Sequence, residues 1–304
     1  MDPLLSFFPA SLAITTAALA AAVVAVCLDS RLSRTVLATM VTALLLLQLH
    51  MVAPSLMPSG GTGMALQAAG TARAPAPARL VTVMALNVGT EGVDSTTLLT
   101  EVRARKVDIL ALPELQPLGL EALEDAGLAA VFPYRAVDVD WAGVGSSIFS
   151  RYPLQVSGRV RGSSFYQSRA VVSVPGVAGG IHLTAVHVAS PRPGHIPNWR
   201  QELQQLGDLR RDLPGSSPAI LLGDFNASHD HREFRELVAT GLTDAAQASG
   251  KGLAPTWPAG LRVPPFVALD HVLVTPDIRV LDFATVAVAG TDHAGVVAEL
   301  VLAE

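Results

Sequence analysis

Seven polar side chains stand where apolar runs of this sequence stop. Asn87 follows LVTVMAL, Glu114 follows VDILALP and His187 closes IHLTAVH. Asp224 and Asn226 end LLGDFNAS, Asp270 interrupts PPFVALDHVLV, and His293 lies in GTDHAGVVAEL. Each has an ordinary explanation alone. Asp and Asn make turns by bonding their own backbone, a lone Glu is usually solvated, and a His is often partly buried. Asp270 is different, because a charge inside an apolar run is costly unless it is paired. Seven such endings together point to chemistry. A hard divalent cation takes oxygen ligands and needs only one or two carboxylates, with Glu114 the best single candidate and Asn87 a neutral neighbour. An Asp beside an Asn can hold a water and aim it at phosphorus. An Asp–His pair can charge an imidazole against a phosphoryl oxygen. No serine lies in a G-x-S-x-G elbow, and the single cysteine, Cys27, is remote from all seven.

The elements that must carry these residues follow from periodicity. Strands are expected over Leu80–Leu86, Val107–Leu112, Ser146–Phe149, Ala170–Val174, Ile181–Val188, Ile220–Leu222, Phe266–Val274 and Thr285–Ala289. Leu98, Leu99 and Val102 predict a helix over Thr96–Lys106, capped by Asp94 or Ser95. Trp199, Leu203, Leu206, Leu209 and Leu213 predict an amphipathic helix over 197–213. No repeat period is visible. The mixture gives an α/β or α+β class with two layers of sheet covered by helices.

The chain ahead of residue 80 has another character. Residues 10–28 and 35–53 contain no charged side chain over 19 residues each, close to the ~20 that span a bilayer core as a helix. Neither shows the polar stripe of a buried core helix. Arg31 and Arg34 lie between them, which places that loop in the cytoplasm and everything after residue 54 outside. A cleaved, signal-like second segment is the competing reading. Residues 54–79 are rich in Ala, Gly and Pro and suit a tether. The expected organisation is a membrane hairpin over 1–53, a linker over 54–79 and a catalytic domain over 80–304. That last part holds 17 basic and 24 acidic side chains, a balance that disfavours a general grip on nucleic acid.

From Leu80 onward the sequence resembles the endonuclease/exonuclease/phosphatase superfamily, the DNase I-like fold. The motifs come in the family's order: ALNV, DILALPEL, GVGSSIFSRYPL, TAVHVASP, LLGDFNAS, ALDHVLV and GTDHAGVVAEL. Pro113 stands where the family often has Gln, and Thr291 where it usually has Ser. The resemblance implies a four-layer αββα sandwich with Mg2+ (Mn2+ as the alternative) held chiefly by Glu114, with Asn87 and Asp292 near it. It implies that Asp224 positions or deprotonates water and that Asn226 contacts phosphate. His293 would pair with Asp270, and His187 would contact the phosphoryl group or protonate the leaving oxygen. Residues 122–142 look short for loops that embrace DNA.

The membrane hairpin, tether and external domain together resemble the actinobacterial branch typified by teicoplanin-resistance proteins. That resemblance implies a plasma-membrane protein acting on a lipid-linked phosphate, such as undecaprenyl pyrophosphate, at the outer face of the lipid bilayer. An extracellular Mg2+-dependent nuclease and a non-catalytic binding module are the other readings. Arg169, Trp199, Arg200 and Trp257 are weaker candidates for substrate contact, the tryptophans reading more readily as core or rim aromatics. His229 and His231, two residues apart, would not share a helix face and read as a solvated loop or helix start.

Overall fold

The computed structural model describes residues 41–42, 79–90, 92–213, 217–260 and 262–302. Apart from Val41 and Thr42, the segments expected to cross the membrane and the linker up to 78 lie outside the described residues. Among the described residues, no helix is long and apolar enough to cross a membrane.

Twelve strands form two six-stranded sheets. The first contains β1 (Arg79–Ala85), β2 (Ile109–Pro113), β3 (Tyr134–Ala136), β4 (Ser146–Ser150), β11 (Ile278–Val286) and β12 (Gly295–Leu302), in the order β11-β12-β1-β2-β4-β3. The second contains β5 (Leu154–Arg159), β6 (Ser168–Val172), β7 (Ile181–His187), β8 (Ala219–Asp224), β9 (Thr243–Asp244) and β10 (Asp270–Val274), in the order β5-β6-β7-β8-β10-β9. Each sheet is built around a parallel pair, β1 with β2 and β7 with β8. Helices α1 (Ser95–Ala104), α2 (Pro117–Asp125) and α3 (Leu128–Val131) cover the first sheet; α4 (Ile196–Asp212) and α5 (Arg232–Val238) cover the second. A short α6 (Ala245–Ala248) follows β9.

Alternation along the strands creates three apolar layers. Val81, Val83 and Ala85 of β1 meet Leu183 and Ala185 of β7 and Ile220 and Leu222 of β8 between the sheets. Met84, Leu86, Leu110 and Leu112 turn outward onto Leu98, Leu99 and Val102 of α1. Val186, Leu221 and Leu273 turn outward onto Trp199, Leu203 and Phe234. This is the expected αββα sandwich. The cap of α1 is Asp94, whose side chain accepts from Thr97 N at 2.7 Å.

Two strand expectations are corrected. Residues 285–289 are not a separate strand. β11 begins at Ile278 and ends at Val286, and the sheet is completed by β12, which pairs with both β1 and β11. Residues 266–269 lie outside β10, with Val267 forming only an isolated bridge to Trp257. Residues 122–142, which look short for DNA-embracing loops, include the end of α2 together with α3 and β3.

Candidate active site

The period of two that builds the core also aims the polar strand ends. On β1 the inward set 81, 83 and 85 continues to Asn87; on β7, 183 and 185 continue to His187; on β8, 220 and 222 continue to Asp224. β10 runs antiparallel to β8 with Asp270 opposite Asp224, and Val272 and Val274 mark its inward face. Four polar residues thus reach one end of the inter-sheet layer from four strands.

Glu114 breaks the rule. Ile109 and Ala111 face inward while Leu110 and Leu112 face outward, so strict alternation would point residue 114 at the helices. Its φ of 62° lies in the left-handed region, and the carboxylate turns back to accept from Asn87 Nδ2 at 2.9 Å. Asn226 (φ 45°) is also left-handed. Such backbone costs about 1–3 kcal/mol in a non-glycine residue and gathers at functional sites. Gly223 is required for another reason, since a Cβ there would stand 2.2 Å from Val186 O on β7.

Asn87 Nδ2 also donates to Asp224 Oδ2 at 3.1 Å, while Asn87 Oδ1 accepts from Gly89 N at 3.0 Å. Asn87 is therefore less a cation ligand than a neutral bridge between two carboxylates. Thr291 Oγ1 donates to Asn87 O at 2.7 Å and accepts from His293 N at 3.2 Å, tying the approach to β12 onto the end of β1. The hydroxyl retained at 291 does this work.

His293 Nδ1 meets Asp270 Oδ2 at 2.8 Å, and its Nε2 lies 3.8 Å from Asp224 Oδ2. Burial opposes charging this ring, but Asp270 and Asp224 outweigh it and push its pKa up to about 10. Burial, reinforced by Asp270, pushes the Asp224 carboxyl up to about 7 against the pull of His293. Burial also raises Glu114, against its hydrogen bond from Asn87. His187 is driven the other way, to about 3, by burial and by the charge on His293. Its Nε2 lies 3.4 Å from Glu114 Oε1 and its ring packs on Phe165 at 4.1 Å. A neutral His187 can donate a hydrogen bond to phosphate, but it holds no spare proton for a leaving group.

Asn226 takes another part than the one expected. Its Nδ2 lies 2.9 Å from Val188 O and 3.2 Å from Asp224 Oδ2, and its backbone N donates to Asp224 Oδ1 at 2.8 Å. It clamps Asp224 rather than offering free donors to phosphate. Trp199 is fully buried and donates from Nε1 to Asn226 O at 3.0 Å, so it holds this loop and does not touch substrate. Arg169 pairs in register with Thr184, an outward position three residues back from His187, which puts it on the wrong sheet face. Arg200 is engaged with Glu233 at 2.8 Å on the helical layer. Of the weaker candidates only Trp257 stays at the site, donating from Nε1 to Asp292 Oδ2 at 3.0 Å.

A cleft of about 560 Å3 opens over Glu114, Thr291, Asp292 and His293. Two carboxylate sets could hold a cation. Ligand atoms of Asp224, Asp270 and His293 lie within 4.8 Å of one another, all buried. That set already bonds internally through the His293–Asp270 contact. Glu114 and the exposed Asp292 instead line the open cleft, where an ion that keeps several waters has room. The donor chemistry fits a hard divalent cation better there.

One cluster escaped the sequence reading. Asp244, buried at the end of β9, accepts from His271 Nδ1 at 3.0 Å and His229 Nε2 at 2.8 Å. His271 Nε2 meets the carbonyl of Ala227 at 2.9 Å. With a carboxylate on one ring nitrogen and a carbonyl on the other, both nitrogens donate and His271 is an imidazolium. His231, read as solvated, is buried and receives Ser228 N on Nδ1 at 3.0 Å. Its reading as a helix start holds, since it is the N-cap of α5. A usable signal existed: His271 sits in an apolar run and needs a buried partner.

The model of the endonuclease/exonuclease/phosphatase family matches residues 84–293, more than half the chain. The chain belongs to this family. Its members are hydrolases of phosphate ester bonds, and so is this protein. The fold is also similar to solved structures. An endonuclease/exonuclease/phosphatase from Beutenbergia cavernae is 20% identical with a TM-score of 0.58, covering 74% of this chain and 72% of that one. TDP2 of D. rerio, complexed with a single-strand DNA product, is 14% identical with a TM-score of 0.57, covering 73% and 98%. A family protein from Bacteroides thetaiotaomicron is 15% identical with a TM-score of 0.56, covering 75% and 99%. No curated protein matches the sequence.

Proposed function

We propose that this protein hydrolyses the phosphate ester or pyrophosphate of a membrane lipid, undecaprenyl pyrophosphate-like, at the outer face of the plasma membrane. The observation that carries the lipid reading is the pair of charge-free 19-residue segments at 10–28 and 35–53, joined by a short tether to a phosphohydrolase domain. A flexible tether of this length keeps its cargo within tens of ångströms of its anchor, which raises the effective concentration for a substrate in the same membrane and does nothing for a diffusing one.

The residues supply the parts of such a reaction. Asp224, clamped by Asn87 and Asn226, takes a proton from a water whose oxygen attacks phosphorus. The new P–O bond forms as the bond to the leaving oxygen breaks. His293, charged and steadied by Asp270, faces the oxygens where negative charge builds up, a preorganised donor of a kind worth about 2.7–4 kcal/mol in the transition state. His187 donates a neutral hydrogen bond. A divalent cation, Mg2+ or Mn2+, held by Glu114 and Asp292 would supply electrostatic stabilisation of the phosphoryl group.

A second reading, an extracellular nuclease, is favoured by the likeness to a fold captured with a DNA product; the acidic balance of residues 80–304 weighs against it. The full chain in proteoliposomes with Mg2+ should release phosphate from a prenyl pyrophosphate faster than it cleaves a sphingolipid or nicks plasmid DNA. Fast nicking with inert lipids would reverse the ranking.

A further inference from the structure

Large apolar side chains are exposed at the end of the sandwich that carries the cleft. Trp141 is 67% exposed and Val263 54%, with Leu118 and Phe266 also exposed. They form two arms. On one, the 137–145 loop is bonded to the Glu114 segment: Glu114 N donates to Gly145 O at 2.8 Å, and Gln116 Nε2 donates to Trp141 O at 3.1 Å. A Cβ on Gly143 would stand 3.7 Å from Glu114 Oε2. On the other arm, Phe266 packs on Trp257 at 6.1 Å, and Trp257 bonds Asp292. Exposed tryptophan and phenylalanine are therefore carried on segments that are tied to those of the two cleft carboxylates, Trp141 through Gln116 and Phe266 through Trp257. Arg262, also exposed, adjoins Val263, and its aliphatic stem can lie along apolar surface while its charge stays in water.

We propose that the 137–145 and 262–266 segments dip into the outer leaflet and seat the mouth of the cleft on the bilayer. The proposal rests on the reading of the protein as a tethered phosphohydrolase and adds the surface by which it meets lipid. Its occupant is a lipid surface because of what precedes the domain. The linker ends at Arg79, where β1 begins, and the chain runs eight residues from there, through the end of β1 at Ala85, to the site at Asn87. At ~3.3 Å per residue Arg79 and Asn87 are roughly 26 Å apart. Read as a tether, the 25 residues 54–78 would by random-coil scaling have a root-mean-square span of about 25–30 Å, comparable to that distance, and a contour several times longer. The tether can enter at one pole while the opposite pole faces the same membrane.

Cys27 is the only cysteine, so Cys27→Ser gives a background for nitroxide labelling. Trp141→Cys, Phe266→Cys and, as a control on β11, Leu281→Cys would be labelled in the full chain reconstituted into phosphatidylglycerol-containing vesicles. Labels at 141 and 266 should become accessible to oxygen and protected from a water-soluble nickel chelate, while 281 stays aqueous. Labels at 141 and 266 as aqueous as 281 overturn the seating. In parallel, Trp141→Asp should slow hydrolysis of a vesicle-borne pyrophosphate at least tenfold and leave a water-soluble phosphoester unaffected; equal loss on both overturns it too. Immersed labels with no lipid hydrolysis would instead refute the substrate reading and leave the seating intact.

Discussion

His293 Nδ1 and Asp270 Oδ2 lie 2.8 Å apart, both residues buried, and the free edge of the imidazole faces Asp224 at 3.8 Å. The pair brings the start of β10 against the loop that leads into β12, so its strength depends on two sheets being in register. Asp270→Asn removes the charge that holds His293 protonated. Hydrolysis should fall by about 10²–10³-fold, the range for losing a preorganised charge-stabilising donor, and thermal stability should fall as well, since a buried charge loses its partner. A steady-state rate and a melting curve on the same preparation check both.

Asp224→Asn keeps the shape of the side chain but turns one of its two accepting oxygens into a donor and cannot accept the proton of water. A loss of about 10²–10⁴-fold in turnover is expected, with substrate affinity, measured by equilibrium binding, retained. An equal loss of binding and turnover would move Asp224 from chemistry to substrate contact.

Chelation of divalent cations should abolish hydrolysis, and Mg2+ or Mn2+ should restore it. Glu114→Gln should raise the cation concentration needed for half-maximal rate by about 10–100-fold, a loss typical of damage to a metal's ligand environment. If Asp270→Asn shifts that concentration more than Glu114→Gln, the cation sits in the inner cluster.

The Asp244–His271 pair makes stability depend on pH in two directions. His271 is raised above 6.5 by Asp244 against its own burial, so its contribution is full below 6.5 and is lost as pH rises through the higher folded value. Asp244 is depressed below 3.8, burial being outweighed by His271 and His229, so its contribution is full above 3.8 and is lost as pH falls through the lower folded value. Denaturant unfolding should show the pair at full strength between those two ordinary values. Asp244→Asn strands a buried imidazolium and should cost about 3–5 kcal/mol there. Because His271 holds Ala227 O beside Asn226, the same variant should also lower turnover.

Much of this arrangement was legible in the sequence. Alternation is enough to send Asn87, His187, Asp224 and Asp270 to one face, and apolar runs show where each strand ends. Glu114 was found by residue type although its direction depends on a left-handed φ that alternation does not predict. Other parts needed three dimensions. Trp199 reads from sequence as a core or rim aromatic, and its place on α4 decides for the core, beneath the Asn226 loop. Arg169 lies near the motifs in sequence yet on the outward face of its strand. Asp244 and His271 are far apart in the chain, and only the pairing of β9 with β10 brings them together.

In the proposed mechanism Asp224 directs water onto phosphorus while His293, 3.8 Å away, meets the phosphoryl oxygens. That mechanism is tested most directly by running the full chain on a vesicle-borne prenyl pyrophosphate in oxygen-18 water and following label and rate together. Oxygen-18 should appear in a phosphoryl product, with the rate lost at least a hundredfold both in Asp224→Asn, which removes the base, and in His293→Gln, which removes the preorganised charged donor. Labelled product formed at an undiminished rate by either variant would contradict it.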